Sequence, residues 1–399
     1  MRPAAIFPGC LVTARFPEYE RSARTVLTAL GYQLENLDET VCCGSNVWES
    51  VDGEQWLPAA VNLARAEQQG VNLITLCGSC TNMLTRARQA LEQEQIKVQV
   101  NQQLRSIGLQ YQNGTNVGHV TEVMWHRLEK LREICTFPSK QPVWPTYPCQ
   151  LRKPEGISDI EDTAAPHIMA DILRAVGAHV VQHSAQTDCC GATMALHDPE
   201  MAYTMARDKL AASAADELLV TACGNCQLAL SRWQPLTTKE RPDLRREVSF
   251  ITDVVAQAID GAVIPDIKGH QLPKKSILPS ASPEECLKCG SCKTVCPAEQ
   301  KGIASIPSLQ MGEEGNPWAC TACLECTTSC PQGIDVYQNG VRMRLDREPQ
   351  SNYQKAYQNI LLHGTVFPLA DLREFRQEEG LPPLRFGNLT KIKDKKPIT

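Results

Sequence analysis

The sequence contains no long apolar stretch. No segment approaches the ~18 apolar residues of a membrane span, and Pro3 and Pro8 interrupt the apolar N-terminal stretch before it attains the length of a signal-peptide core. The formal net charge is only -5, so the sequence offers no basic surface for nucleic acid or anionic lipid. We therefore expect a cytoplasmic protein with no membrane span and no nucleic-acid partner.

Two further absences concern cofactors and ligands. No G-x-G-x-x-G fingerprint of a flavin or nicotinamide site is present, so electrons for redox chemistry would have to come from a partner. The 8 histidines form no ligand-spaced pair. His119 lies in an apolar run and is expected to be a hydrogen-bonded core residue. His197, which follows Gly191 closely, is the histidine that could approach a bound substrate.

Cysteine, in contrast, is abundant, with 19 in 399 residues. In the reducing cytoplasm, crowded cysteines indicate metal or redox chemistry rather than structural disulfides. All of them except Cys135 fall into recurring groups. Cys135 lies outside the groups, and we expect it to be a small buried hydrophobic residue.

Ten of these cysteines belong to an internal repeat. Each copy has one cysteine after a proline-containing turn, then a Cys-Cys-Gly motif, and then a short apolar run that ends in C-x-x-C. The intervals between these features are 31 and 33 residues in the first copy and 39 and 32 in the second. The first set of cysteines is Cys10, Cys42, Cys43, Cys77 and Cys80, and the second set is Cys149, Cys189, Cys190, Cys223 and Cys226.

The repeat also predicts the fold. Short apolar runs that alternate with longer helical patterns indicate βα units with a mainly parallel sheet, and each cysteine group falls where a strand ends. Proline-rich stretches around 137–145 and 261–283 separate the copies from each other and from the C-terminal third of the chain. We predict two α/β Cys-Cys-Gly domains, 1–140 and 141–265, followed by a mostly α-helical ferredoxin-like domain, 266–399, with a helical C-terminal tail.

The most specific pattern lies in the third region. Two C-x-x-C-x-x-C-x-x-x-C-P runs follow each other, and this is the bacterial ferredoxin pattern, in which the fourth cysteine of each run binds the other run's cluster. The pattern predicts two 4Fe-4S cubanes with crossed ligation: Cys286, Cys289 and Cys292 with Cys330, and Cys320, Cys323 and Cys326 with Cys296. The alternative is a pair of structural zinc sites, but zinc tolerates wider spacings and does not require this arrangement.

The two five-cysteine sets are less usual. Five thiolates exceed the four of an ordinary cubane, and neighbouring cysteines of an extended chain point in different directions, so both reach one site only across a turn. Gly44 and Gly191 would permit that turn. The alternative is that one or both sets bind zinc through four of the five cysteines.

With these motifs, the chain resembles the catalytic B subunit of heterodisulfide reductase joined to the two-cluster, ferredoxin-like C subunit of the same enzyme. The resemblance covers nearly the whole sequence and includes the tail, where 361–364 and 380–383 look like the end of the ferredoxin-like subunit. Thiol:fumarate reductase, an unusual form of succinate dehydrogenase, and lactate and glycerol-phosphate oxidoreductases share the Cys-Cys-Gly repeat. The repeat therefore marks a superfamily and does not select a substrate.

The resemblance implies that each five-cysteine set holds a noncubane 4Fe-4S cluster, and that all ten cysteines are catalytic because a disulfide is split between the two clusters. The ferredoxin-like cubanes would bring in electrons from a flavoprotein resembling the A subunit of heterodisulfide reductase, with a hydrogenase or formate dehydrogenase behind it. Pro148 departs from the pattern, since the first copy has Gly9 at that place. The competing expectation is a pure electron relay to a partner dehydrogenase or to quinone.

Overall fold

The computed structural model describes residues 3–51, 54–136, 140–154, 156–158, 161–259, 282–345, 347, 351–366 and 372–392. The predicted boundary near residue 140 borders residues outside this set, and the boundary near 265 falls among them. No helix in the described residues is both long enough and apolar enough to cross a membrane.

The first repeat is built around a four-stranded parallel sheet with the order β2-β1-β4-β5. Strands β1 and β4 form its centre, and β4 is buried along its whole length, as expected for a parallel strand covered on both faces. The elements are β1 (Ala4–Phe7), α1 (Gly9–Arg15), α2 (Pro17–Ala29), β2 (Leu34–Glu35), β3 (Glu39–Thr40), α3 (Leu57–Gln69), β4 (Asn72–Thr75), α4 (Gly78–Ala90), α5 (Glu94–Leu104), β5 (Val117–His119), α6 (Val120–Trp125) and α7 (Leu128–Ile134).

The second repeat has the same topology. Its parallel sheet has the order β6-β7-β8, and a single bridge from Val143 to Val180 takes the place that β2 has in the first repeat. The elements are β6 (Val143–Thr146), α8 (Cys149–Arg152), α9 (Ile168–Ala175), α10 (Pro199–Ala211), β7 (Leu218–Thr221), α11 (Gly224–Gln227), α12 (Gln234–Thr237), β8 (Glu247–Phe250) and α13 (Ile251–Ala258). The predicted α/β repeat is confirmed.

The repeats pack closely against each other. The ring of Tyr19 on α2 stacks on Phe250 at the end of β8, with the ring centroids 3.8 Å apart. The Tyr19 hydroxyl also donates a hydrogen bond to the carbonyl oxygen of Ala222, 3.1 Å away. Because Ala222 immediately precedes a cysteine of the second set, a helix of one repeat supports the site of the other.

The third region is mostly helical, as predicted. Its helices between residues 291 and 342 are short and lie around a small apolar core that includes Ile306, Ile334 and Val341, whereas the helix at 351–363 is longer. The elements are α14 (Ser291–Val295), α15 (Pro297–Gln300), α16 (Ile306–Gln310), α17 (Glu325–Thr328), α18 (Val336–Arg342), α19 (Ser351–His363), α20 (Leu372–Glu378) and β9 (Arg385–Phe386).

The C-terminal segment from α19 to β9 returns to the first repeat. Strand β9 pairs with β3 in parallel, and Tyr357 on α19 stacks on Trp48 with ring centroids 4.7 Å apart. On α20, Arg376 forms a buried ion pair with Glu20, with a closest distance of 2.7 Å. This segment therefore forms part of the wall around the first set of cysteines.

Candidate functional site

The carboxyl ends of four strands position most of the cysteines in the two sets. Strands β1 and β6 lead into Cys10 and Cys149, and β4 and β7 lead into Cys77 and Cys223. Strand β1 lies next to β4 in the first sheet, and β6 lies next to β7 in the second. In each repeat, two cysteine groups therefore emerge at the same sheet edge. The prediction that each cysteine group follows a strand end holds for these groups and for Cys42 and Cys43 after β3, but it is wrong for Cys189 and Cys190, which follow a helical turn at Ser184–Thr187.

The first set is compact and mostly buried. The sulfur atoms of Cys10 and Cys42 are 3.6 Å apart, and Cys43 is hydrogen-bonded to both Cys42 and Cys80. Gly9 has a φ of +77°, and a Cβ atom there would lie 2.7 Å from the sulfur of Cys80. A side chain at this position would therefore occupy the space between the thiols.

The second set repeats this arrangement. Cys189 is hydrogen-bonded to both Cys149 and Cys190, and Cys226 to Cys190 and Cys223. Pro148 adopts a φ of -65°, whereas Gly9 is left-handed. The departure at Pro148 therefore changes the backbone before the first cysteine, although Cys149 still joins its set.

The two Cys-Cys-Gly turns have the backbone that the sequence predicts. Gly44 and Gly191 have φ values of +85° and +79°. A Cβ atom on Gly191 would lie 2.8 Å from the Cβ of Met205 and 2.9 Å from the carbonyl oxygen of Ala202, and one on Gly44 would lie 2.9 Å from the Cβ of Trp48. Both the left-handed conformation and the close packing therefore require glycine.

The two sets meet at equivalent residues of the repeat. The sulfur atoms of Cys77 and Cys223 are 3.7 Å apart, and the side chain of Asn225 donates a hydrogen bond of 2.9 Å to the hydroxyl of Ser79. In the same way, Gly78 packs against Pro148 beside the second set, and Gly224 packs against Leu11 and Val12 beside the first. Reciprocal contacts of this kind are what a local two-fold axis between the repeats produces.

The pKa values of the cysteines in the two sets are consistent with sites that bind several metal cations. Hydrogen bonding with Cys43 and then burial raise the pKa of the Cys80 thiol well above its usual range, while hydrogen bonds from Cys42 and Cys80 lower the pKa of Cys43 to about 6. Hydrogen bonding in the second set likewise raises the pKa of Cys226 and lowers the pKa of Cys223. Crowded buried thiols cannot all ionise by themselves, whereas iron ions would stabilise five thiolates in this space.

The third region brings its cysteines together in crossed groups. Cys286, Cys289, Cys292 and Cys330 line one pocket. Cys296 lies within electrostatic range of Cys320, Cys323 and Cys326 and raises the pKa of each, after the larger effect of burial. One pocket thus brings Cys330 to the first run, and Cys296 lies within electrostatic range of the second run. Crossed ligation of two clusters stays a prediction.

The cubane site of the second run lies next to the second set. Cys149, Cys189 and Cys323 line one cavity, and Cys323 lies within electrostatic range of both other cysteines. The side-chain amide of Gln150 donates a hydrogen bond of 2.7 Å to the carbonyl oxygen of Ala322. Arg152 and Lys153, which follow Cys149, pair with Glu325 beside Cys323. Several contacts therefore fix the ferredoxin-like region against the second repeat.

A cavity of about 380 Å³ opens at the first set. All five cysteines of that set line it, and its other walls come from the second repeat, through residues such as Asn225 and Trp233, and from the C-terminal segment, through Ala356 and Val366. The second set contributes none of its cysteines to this lining. Sequence reasoning missed the wall formed by the C-terminal segment, because nothing in the sequence near 352–366 marks it as part of a site.

The remaining residues singled out in the sequence have structural surroundings. His119 is fully buried, its Nδ1 lies 2.8 Å from the hydroxyl of Thr121, and it caps helix α6. Burial lowers the pKa of His119 to about 4, so the ring is neutral at pH 7, as expected for a core histidine. Cys135 is buried and forms a β-bridge with Ile259. His197 ends the turn that follows Gly191 and does not belong to the cavity lining.

Comparison with known proteins supports this interpretation of the motifs. The Cysteine-rich domain family matches residues 4–85 and 146–231, and the 4Fe-4S dicluster domain family matches residues 278–344. These two families cover the two repeats and the ferredoxin-like region.

Three relatives resemble this chain at low identity. The B subunit of the Ferredoxin/F(420)H(2)-dependent CoB-CoM heterodisulfide reductase of Methanosarcina acetivorans is 30% identical over 243 residues, which cover 59% of this chain and 81% of that protein. A protein of Archaeoglobus profundus that is named as similar to the heterodisulfide reductase B subunit is 30% identical over 59% of this chain and 83% of its own length. The 8-methylmenaquinol:fumarate reductase membrane anchor subunit of Wolinella succinogenes is 31% identical over 58% of this chain and 82% of its own length.

The repeat, the paired cysteine sets and these matches agree. The predicted resemblance is confirmed, and so are an iron-sulfur electron-transfer role and an oxidoreductase class. The chain belongs to the family of Cys-Cys-Gly proteins that includes the heterodisulfide reductase B subunit, and it carries a ferredoxin-like 4Fe-4S region in the same polypeptide.

Proposed function

We propose that this chain is the iron-sulfur subunit of a heterodisulfide-reductase-like complex that reduces a disulfide to two thiols. Two cubanes in the third region would receive electrons, and two noncubane clusters, one in each five-cysteine set, would deliver them to the disulfide. The observation that carries this proposal is the junction of the two sets, where the sulfurs of Cys77 and Cys223 are 3.7 Å apart. When bound, the clusters would supply electrons one at a time.

The arrangement of the cysteines supports a direction of electron flow. Leu287 is 66% exposed and Cys289 is exposed, so the crossed group that contains Cys289 is open to a partner. The other crossed group lies beside the second set through Cys323, and the second set meets the first at Cys77. Electrons entering at the exposed group would therefore pass through the second set to reach the cavity.

The cavity supports a small disulfide as the substrate. Its walls are mainly apolar, and the polar side chains of Ser79, Asn225 and Asn359 are placed among them, which is the usual composition of a small-molecule site. Reduction of the disulfide consumes two electrons and two protons and breaks the S-S bond to give two thiols. The first set faces this cavity directly, and the second set meets it at the contact between Cys77 and Cys223. Iron bound by each set would hold one sulfur of the disulfide as it becomes a thiolate.

The partner in this proposal is a flavoprotein that resembles the A subunit of heterodisulfide reductase, linked in turn to a hydrogenase or formate dehydrogenase module. The clusters accept one electron at a time, and this property supports a flavoprotein partner, because a flavin takes two electrons from a donor and passes them on singly. The M. acetivorans relative is named as dependent on ferredoxin and F420H2. A reduced ferredoxin is therefore a second donor that the same exposed group would accept.

The test removes one cysteine from each set. Cys43→Ala and Cys190→Ala should each lower disulfide reduction by more than the ~100-fold loss that follows disturbance of an outer-shell residue. The ferredoxin-like clusters should still be reduced by dithionite in both variants. Cys135→Ala is the matched control, since it also removes a buried cysteine but one outside both sets, and it should keep its activity. Substantial disulfide reduction by either set variant would contradict cleavage between two clusters.

A relay function is the second candidate, and the similarity to the fumarate reductase membrane anchor subunit favours it. In a relay, the clusters pass electrons to or from a partner dehydrogenase or quinone, and no disulfide is bound. The same preparations separate the two functions. If intact protein with its partner reduces no disulfide but exchanges electrons with a succinate, lactate or glycerol-phosphate dehydrogenase, the relay is correct.

A further inference from the structure

One buried position differs in charge between the two repeats. Asn62 and Lys209 both lie 18 residues after the glycine of their Cys-Cys-Gly motif. The equivalence has independent support, since Pro58 and Met205, four residues earlier, are the residues that pack on Gly44 and Gly191. The two repeats thus have an amide and an ammonium group at the same place.

Asn62 holds the chain in front of the first Cys-Cys-Gly motif. Its side-chain oxygen accepts a hydrogen bond of 2.9 Å from the backbone N-H of Val41, and its side-chain nitrogen donates one of 2.9 Å to the carbonyl oxygen of Val41. Val41 immediately precedes Cys42. Asn62 is 3% exposed, so this neutral contact is part of the packed core beneath the first set.

Lys209 makes the equivalent contact with a positive charge. Its ammonium group donates a hydrogen bond of 2.6 Å to the carbonyl oxygen of Asp188, the residue before Cys189, and a longer one of 3.4 Å to that of Gln186. Lys209 is 2% exposed. Among the residues that the structure describes, no carboxylate lies within ion-pair distance of it.

A buried ammonium group without a carboxylate partner is costly unless negative charge lies nearby. Lys209 lines a polar cavity together with Cys149, Cys189 and Cys323 and with three carboxylates. Of these, Glu325 and Asp208 are paired with other cations, and the carboxylate of Asp188 lies beyond ion-pair distance of Lys209. The other buried cations at this site, Arg152 and Lys153, share Glu325. Negative charge on a cluster bound by the second set would therefore compensate the charge of Lys209.

Within the described part of the chain, the first set has no buried cation of this kind in its lining. Asn62 is neutral, and Thr13 stands where the second repeat has Arg152, at the same distance from the first cysteine of the set. Lys355 lines the cavity at the first set, but its side chain is exposed, so water and salt screen its charge. The two sets thus differ in electrostatics although their cysteines match.

We propose that Lys209 is a positioning residue that raises the reduction potential of the cluster in the second set above that of the cluster in the first. Adding an electron makes a cluster more negative, and a buried cation stabilises the more negative state. The inference rests on the proposed function, because it requires a cluster in each set. The second cluster would then accept an electron from the ferredoxin-like region before the first cluster does.

The test is a redox titration of the full chain, purified anaerobically and followed by electron paramagnetic resonance. The signal lost in Cys190→Ala is assigned to the second set, and the signal lost in Cys43→Ala to the first. Lys209→Asn and Lys209→Met should lower the midpoint potential of the second-set signal, and Lys209→Arg should keep it near the wild-type value. Asn62→Lys should raise the potential of the first-set signal.

Lys301→Gln is the matched control, because Lys301 lines the same cavity but is paired with Asp208. Its second-set potential should stay within the scatter of repeated wild-type titrations. The inference is overturned if Lys209→Asn and Lys209→Met retain both signals with unshifted potentials. If those variants fail to load the second set, an unshifted first-set potential in Asn62→Lys overturns it instead. Two other failures are distinguished from this one. Iron analysis detects absence of clusters from the two sets, since wild-type protein would then contain iron in the ferredoxin-like region alone, and the disulfide-reduction assay of the wild-type protein with its partner tests the proposed function itself.

Discussion

Replacement of Gly191 by alanine tests whether the Cys-Cys-Gly turn depends on close packing as well as on backbone conformation. Gly191 has a φ of +79°, and an added Cβ would lie 2.8 Å from the Cβ of Met205 and 2.9 Å from the carbonyl oxygen of Ala202. Gly70 has a similar φ of +72°, but no atom of the described residues lies within 4 Å of a Cβ atom there. Comparison of the two variants therefore separates the cost of the conformation from the cost of the contacts.

The expected magnitudes follow from this difference. A left-handed alanine costs roughly 1–2 kcal/mol relative to glycine, and this cost should account for the whole effect of Gly70→Ala. In Gly191→Ala, overpacking against α10 adds roughly 1–3 kcal/mol, because the backbone oxygen of Ala202 cannot move away as a flexible side chain does. The same overpacking should also displace Cys189 and Cys190 from the second set.

The assay measures the midpoint of thermal unfolding and the iron content of both variants under anaerobic conditions. We expect Gly191→Ala to have the lower midpoint and to lose iron from the second set, and Gly70→Ala to retain the iron content of the wild type. Gly44→Ala should resemble Gly191→Ala, with the loss in the first set. A midpoint for Gly191→Ala equal to that of Gly70→Ala would refute the packing argument.

Three further predictions concern the clusters and the C-terminal segment. Anaerobically purified protein should contain about sixteen irons and no stoichiometric zinc, since the sequence has four cluster-ligand sets; metal analysis that finds iron near eight with one or two zincs would contradict noncubane clusters in both repeats. Cys296→Ser should damage the cubane of the second ferredoxin run, and spectroscopy that separates the two cubanes would detect this change. A change confined to the cubane of the first run would show that the crossed assignment is wrong. Glu20→Gln should destabilise the protein by roughly 3–5 kcal/mol, because it leaves the buried guanidinium of Arg376 without its partner. Arg21→Gln, at an exposed ion pair, should change stability by less than about 1 kcal/mol. Equal thermal shifts in these two variants would contradict the buried-pair argument.

Much of the site can be predicted because its information is local. The Cys-Cys-Gly motifs, the C-x-x-C motifs after apolar runs and the two ferredoxin runs each occupy a few consecutive residues. Parallel strands deliver such motifs to one sheet edge, so the sequence is sufficient to place Cys77 and Cys223 at strand ends. The left-handed turns at Gly44 and Gly191 are predictable for the same reason.

The parts that sequence reasoning missed depend on contacts between distant residues. Pairing of β9 with β3 joins positions more than 300 residues apart, and Tyr357 packs on Trp48 over a similar separation. No local pattern encodes such a partner. The charge difference between Asn62 and Lys209 is available in the sequence, because aligning the two repeats on their Cys-Cys-Gly glycines places these residues together.

The return of the C-terminal segment has a consequence for how such a protein could be divided. Cys42 donates a backbone hydrogen bond of 2.6 Å to the carbonyl oxygen of Gly364, and Ile360, Leu384 and Leu389 belong to the same apolar core as the first set of cysteines. In a protein whose Cys-Cys-Gly and ferredoxin-like parts were separate polypeptides, an equivalent segment would have to cross from one polypeptide to the other. Two fragments of this chain, cut between the second repeat and the ferredoxin-like region and produced together, should therefore reassemble, with the smaller fragment completing the wall of the larger one.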